Sequence, residues 1–306
     1  MRSLPGSPLL WLGTSLLGVA IAVLNVALPA LVKRDFPQKI GQITGVYSAV
    51  QSIFAAIAAG VAVPVAHATE LGWRLPLGMW AGLALIGLGV LAPQLRRHTV
   101  VADGQDDLRI DTRGADWPSP WRSALGWQVT AFMGLQSTVF YIFITWLPSI
   151  ERAAGLSQAA AGLHQFLLNG FAIAGSIICS ALIPRMRDQR VLAVAMPVGL
   201  IVATLGVLIA PSFAALWASL IGLAGGLGIV LALSFFGLRT RHHTQAAELS
   251  GMAQSVGYLL AAVGPIAVGA LHDRHGSWTP ALLTLIALQA LLIIFGYLAG
   301  RGRFIR

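Results

Sequence analysis

The chain has 306 residues, of which 57% are hydrophobic and 10% charged, with a formal net charge of +9. A soluble domain carries about 25% charged residues, so this inventory excludes the charged shell that water requires. The excess positive charge sits in short connections between apolar stretches, not across a polar face. That excludes a nucleic-acid surface and fits loops flanking a bilayer.

Nine apolar runs are predicted as transmembrane helices, at about 8–32, 43–66, 74–94, 125–149, 160–184, 189–210, 212–235, 248–270 and 279–300. Each is close to the roughly 20 residues needed to cross a hydrocarbon core of about 30 Å. The fold class is therefore all-α, a polytopic helical membrane protein. The first run carries Asn25 and Pro29 and ends in the basic loop KRDFPQK, which reads as a span and not as a cleaved leader. The third run is followed by a long polar stretch from Arg96 to Trp121 with Asp103, Asp106, Asp107, Asp111 and Asp116, predicted as a surface linker with at most a short interfacial helix. Cys179 lies inside an apolar run, where a small buried hydrophobe is its expected role.

This pattern divides the chain into a three-helix partial bundle at 1–95, a cytoplasmic linker at 96–122 and a six-helix bundle at 123–306. If the runs alternate in direction, all of the 20 Lys and Arg residues except Arg2, Arg74, Arg152 and Arg274 fall on one side. Basic residues are retained on the cytoplasmic side, so a cytoplasmic C-terminus in a cell inner membrane is expected. Six helices make half of a 6+6 transporter and three make half of such a half. The expected architecture is thus an incomplete 6+6, shortened at its N-terminus by a late start site or a truncated gene.

Several segments carry a resemblance. These are LPALVKRDFP at 28–37, GWR at 72–74, LQSTVFYIFITWLPSIERAAGLS at 135–157, RMRDQR at 185–190, and the long stretch GLRTRHHTQAAELSGMAQSVGYLLAAVGPIAVGALHDRHGSWTP at 237–280. The chain resembles a major facilitator superfamily transporter of the cyanate/nitroimidazole transporter-like branch, over nearly all of its length. The resemblance implies twelve helices in the intact family, of which this chain begins at the fourth. It also implies transport of a small anion such as cyanate, or of a nitroimidazole-like organic solute, by alternating access.

Polar groups inside apolar runs are the candidates for function, because burying them unsatisfied costs a few kcal/mol each. Gln136 and Phe140 share a helical face at i,i+4, with Tyr141 one position round and Trp146 nearer the end of the run. Gln254 and Tyr258 form another i,i+4 pair, as do Tyr47 and Gln51. Asn25 sits deep in the first run, and His164, Gln165 and Asn169 open the fifth. The functional reading is a solute path of amides and aromatic rings. The alternative for each residue is an interhelical hydrogen bond worth about 0.6 kcal/mol. The resemblance puts Gln136, Tyr141 and Gln254 on pore-lining helices.

No constellation of nucleophile, base or metal ligands suggests an enzyme, and no cofactor is expected. HDRH at 272–275 offers two histidines and an aspartate in a short turn, where a charged cap is the simpler account. Ionisable groups are scarce within the runs. Proton coupling would then use the missing helices or a loop-edge group such as Glu248 or His164, with uniport as the alternative. The expected partners are the lipid bilayer and a small-molecule solute. A non-transporting membrane remnant or scaffold is the competing reading. Gly222, Gly225, Gly226 and Gly228 crowd the seventh run, for either tight packing or bending.

Overall fold

A computed structural model describes residues 7–67, 72, 74–97 and 117–306. Most of the polar stretch from Arg96 to Trp121, and the asparates within it, lie outside the described residues. Nine α-helices occur among the described residues, with no strand. They are α1 (Ser7–Asp35), α2 (Ile40–His67), α3 (Arg74–Arg97), α4 (Ala124–Ala153), α5 (Gln158–Leu182), α6 (Arg190–Ile209), α7 (Ala214–Leu238), α8 (His243–His275) and α9 (Thr279–Ala299). Seven of them are long and apolar enough to cross a membrane: α1 and α4 through α9. The apolar part of α3, Arg74–Val90, is shorter.

Helix ends follow local chemistry. Ser157 caps α5 by accepting a hydrogen bond from the Ala160 N–H at 3.2 Å. The α4–α5 turn passes through Gly155 at φ 91°, a left-handed conformation that glycine adopts without a Cβ penalty. Helix α8 extends five residues beyond its predicted run at each end. Its start is capped by the His242 ring, which accepts from Thr244 N–H, and its end is closed by Gly276 at φ 62°. Hydropathy alone misses these polar end turns because they lie outside the apolar window.

The contacts divide the chain into two compact units. One holds Met1–Val23 and Phe54–Trp117, and the other Leu24–Ile53 and Pro118–Arg306. In the second unit, α5 packs on α7, α4 on α8 and α6 on α9, with α4 and α7 at the centre. Its exterior, unlike that of a soluble protein, is apolar, and polar groups are placed among the apolar core. Phe166, Ile209, Leu259 and Ile266 are each at least 70% exposed, whereas Gln136, Gln254, Gln289 and Thr204 are almost wholly buried. An apolar exterior around a hydrogen-bonded interior is what a hydrocarbon solvent selects. Gln289 on α9 donates to Thr204 Oγ1 on α6 at 2.8 Å, one such internal bond.

Backbones approach most closely along the α5–α7 seam. A Cβ at Gly222 would meet the Leu168 carbonyl, and one at Gly226 the Ala172 carbonyl. Gly225 lies under the Phe140 ring, and Gly228 faces Gln136 and Met196. These four glycines of α7 are therefore in close packing. Cys179 is fully buried, as expected of a small hydrophobe.

Candidate functional site

All of the candidate residues fall in the second unit. Gln254 is the best defined. Its Nε2 donates to the Asn25 carbonyl oxygen and to Ser250 Oγ, both at 2.8 Å, and so ties α8 to α1. Both donors are used. Its Oε1 is buried and has no hydrogen-bond partner among the described residues. Asn25 thus enters the site through its main chain.

One turn along α8, Tyr258 is half-buried and is an electrostatic neighbour of both Tyr141 on α4 and Tyr47 on α2. The Tyr47 hydroxyl is buried beside Thr44. Tyr141 is 44% exposed and meets Phe140 edge to face, ring centroids 6.3 Å apart. Tyr258 therefore neighbours a tyrosine from each of two other helices, one turn from an amide with a spare acceptor. Gln136 lies on the same helix as Tyr141 but is buried, donating to Ser137 Oγ at 2.8 Å and facing Gly228 across the α4–α7 contact.

Other candidates occupy different surroundings. Trp146 donates to the Pro265 carbonyl at 2.8 Å and packs on Trp278, which stacks on His272 at 3.9 Å. These contacts clamp α4, α8 and the start of α9. HDRH at 272–275 is not a short turn but the last turn of α8, and His275 bonds there to the Leu271 carbonyl at 2.9 Å. Gln51 and Asn169 are exposed, the latter donating to the Gln165 carbonyl at 2.8 Å. His164 is buried and its Nδ1 stands 3.0 Å from Glu151 Oε2.

Glu151 is the residue that the sequence reading passed over. It lies two residues before the end of α4, and a hairpin with a four-residue turn brings it back against α5. The signal was available: a carboxylate and an imidazole 13 residues apart, flanking Gly155. Ser250, one turn before Gln254, was likewise missed because serine is neutral in hydropathy.

The opposite end of the bundle is basic. Arg239 is buried there, donating through Nε to the Ala299 carbonyl at 2.7 Å and through Nη2 to the Gly300 carbonyl at 3.1 Å and to Gln189 Oε1. Burial pulls its pKa down to about 10, which leaves it charged at neutral pH. Nearby, the Arg190 guanidinium holds the Asp188 carboxyl below the usual carboxylate range. Arg241, Arg301, Arg303 and Arg306 line an adjoining groove of about 470 Å³.

Residues 2–265 match the sequence profile of the Major Facilitator Superfamily. The chain belongs to that superfamily. It is 40% identical to the 2-nitroimidazole transporter of Escherichia coli (strain K12) over 306 residues, which cover 100% of this chain and 76% of the relative. It is also 40% identical to an uncharacterized transporter of Bacillus subtilis (strain 168), over 99% of this chain and 74% of the relative. A more distant relative is the cyanate transport protein of Escherichia coli (strain K12), 27% identical over 96% of this chain and 76% of its own length. These matches agree with the branch that the sequence resembles, and they make the chain a multi-pass membrane protein of a transporter family.

Proposed function

We propose that the chain is a secondary transporter that moves a small anion or small planar organic solute across a cell inner membrane by alternating access. The observation carrying this reading is the Gln254 amide, whose buried oxygen is unfilled one helical turn from Tyr258, itself an electrostatic neighbour of Tyr47 and Tyr141. An amide acceptor and hydroxyl donors bind a polar ring edge, and the ring faces of Tyr141 and Phe140 offer stacking surface. The Asn25 carbonyl orients the Gln254 amide from α1, and Trp146 braces α4 against α8 at Pro265. Likeness to a 2-nitroimidazole transporter and a cyanate transport protein supports a solute of that size and polarity. The reaction is translocation without covalent change. In this reading 1–95 and 123–306 rock against each other, 96–122 links them on the cytoplasmic side, and the arginine-rich end of the bundle with the C-terminus faces the cytoplasm.

The test is flux. The chain is reconstituted into proteoliposomes and uptake of labelled 2-nitroimidazole and of cyanate is measured against protein-free vesicles. Saturable uptake of either supports the reading. Uptake of both at the protein-free rate, with inserted and folded protein, overturns it for this solute class.

A further inference from the structure

Two ionisable side chains are buried at the end of the bundle opposite the arginine-rich loops. Glu151 is 3% exposed and His164 is 8% exposed, and they meet at 3.0 Å across the α4–α5 hairpin. The second carboxylate oxygen, Oε1, is buried without a hydrogen-bond partner among the described residues. Such a pair is expensive. Each ion loses hydration worth several kcal/mol, and the mutual attraction offsets this only while the pair stays neutral overall.

Neutrality fixes the proton count. With one proton shared, as carboxylate and imidazolium or as acid and imidazole, the pair carries no net charge. When that proton leaves from His164 Nε2, the Nδ1–H still donates to Oε2, but one negative charge remains in an apolar surround. Among the described residues no other group compensates it. Within this unit, Arg152 on α4 is exposed, and the facing end of α7, Ala214–Ile221, carries no titratable side chain. His272, Asp273, Arg274 and His275 of α8 belong to the Trp146 and Trp278 side of α4. Among the described residues, His164 alone exerts a charge effect on Glu151.

We propose that Glu151 and His164 form a one-proton site that latches the α4–α5 end of the bundle, holding the proton while that end is sealed and releasing it when water enters. The use of this site rests on the alternating-access reading, whereas the proton binding does not. Linkage is reciprocal: if sealing favours the proton, acid favours sealing.

The latch is read by cysteine accessibility in the full chain in lipid nanodiscs, without solute. Ala161→Cys, at a buried position one turn before His164, is the reporter in a Cys179→Ala background. Ser157→Cys, at an exposed position in the hairpin turn, corrects for the intrinsic rise of thiolate with pH. The corrected alkylation rate at position 161 is expected to fall at least about fivefold between pH 8 and pH 5, the lower end of usual coupling. Glu151→Gln and His164→Asn each remove the dependence. A flat profile with the native pair, or an unchanged slope in either inserted variant, overturns the proposal. Should neither variant insert, the profile of the native pair decides alone. Because no solute is present, failure here is distinct from absence of flux.

Discussion

Gln254 uses both amide hydrogens within the protein and leaves its oxygen unfilled, an arrangement suited to accepting a hydrogen bond from a solute. Replacing it with leucine removes that acceptor while keeping an apolar volume in the helix. One net hydrogen bond is worth about 0.5–1.5 kcal/mol, so Gln254→Leu is expected to weaken solute affinity up to about tenfold. The apparent KM for flux checks this, with inserted protein measured in parallel. Equal loss of insertion would mark the residue as helix glue. Arg239 is the contrasting case. It joins the α5–α6 loop, the end of α7 and the end of α9 through Gln189, Ala299 and Gly300. A lysine ammonium has no planar fork with which to reach all three acceptors. Each buried acceptor left empty costs about 1–3 kcal/mol. Arg239→Lys is therefore expected to lower the Tm in detergent while leaving solute affinity of the folded fraction unchanged.

The α5–α7 seam shows what a glycine does at the level of the helix pair. Gly226 backs directly onto the Ala172 carbonyl of α5, whereas Gly170 on α5 faces open space. A methyl group at 226 forces the backbones apart, and overpacking of this kind costs about 1–3 kcal/mol. At 170 it only improves helix propensity, by about 0.5–1 kcal/mol. Gly226→Ala should thus lower the Tm and Gly170→Ala should hold or raise it, a difference that thermal unfolding in detergent reads directly. Helix positions were legible in the sequence because hydropathy over a span's length is a strong signal, and eight of the predicted runs agree with the helices to within a few residues. The ends of α8 were not, since capping by His242 and Gly276 lies outside any apolar window. Neither was the Glu151–His164 contact. Each residue stood at the edge of its own run, and only the hairpin brings them together. Candidate residues on a shared helical face, such as Gln254 with Tyr258, could be paired from spacing alone. Which of them keep a free polar atom depends on neighbours from other helices, and Trp146 differs from Gln254 in just that respect.

At the scale of the molecule, the physics is that of a bilayer solvent. Apolar side chains cover the outside of the second unit, and glutamine, serine and threonine hydrogen bonds lie within it. Membership of the Major Facilitator Superfamily gives this bundle a transporter context. In the proposed reading, the tyrosine-and-amide face on α4 and α8 is the surface that meets the solute. The central claim is that this face is exposed to the two sides of the membrane in turn. Tyr141, 44% exposed on that face, is the position to test. In a Cys179→Ala background, Tyr141→Cys is alkylated in sealed, uniformly oriented vesicles by an impermeant reagent added outside or trapped inside. Labelling from both sides, with the balance shifted by 2-nitroimidazole or cyanate, is the predicted result. Labelling from one side only, indifferent to either solute, would contradict the account.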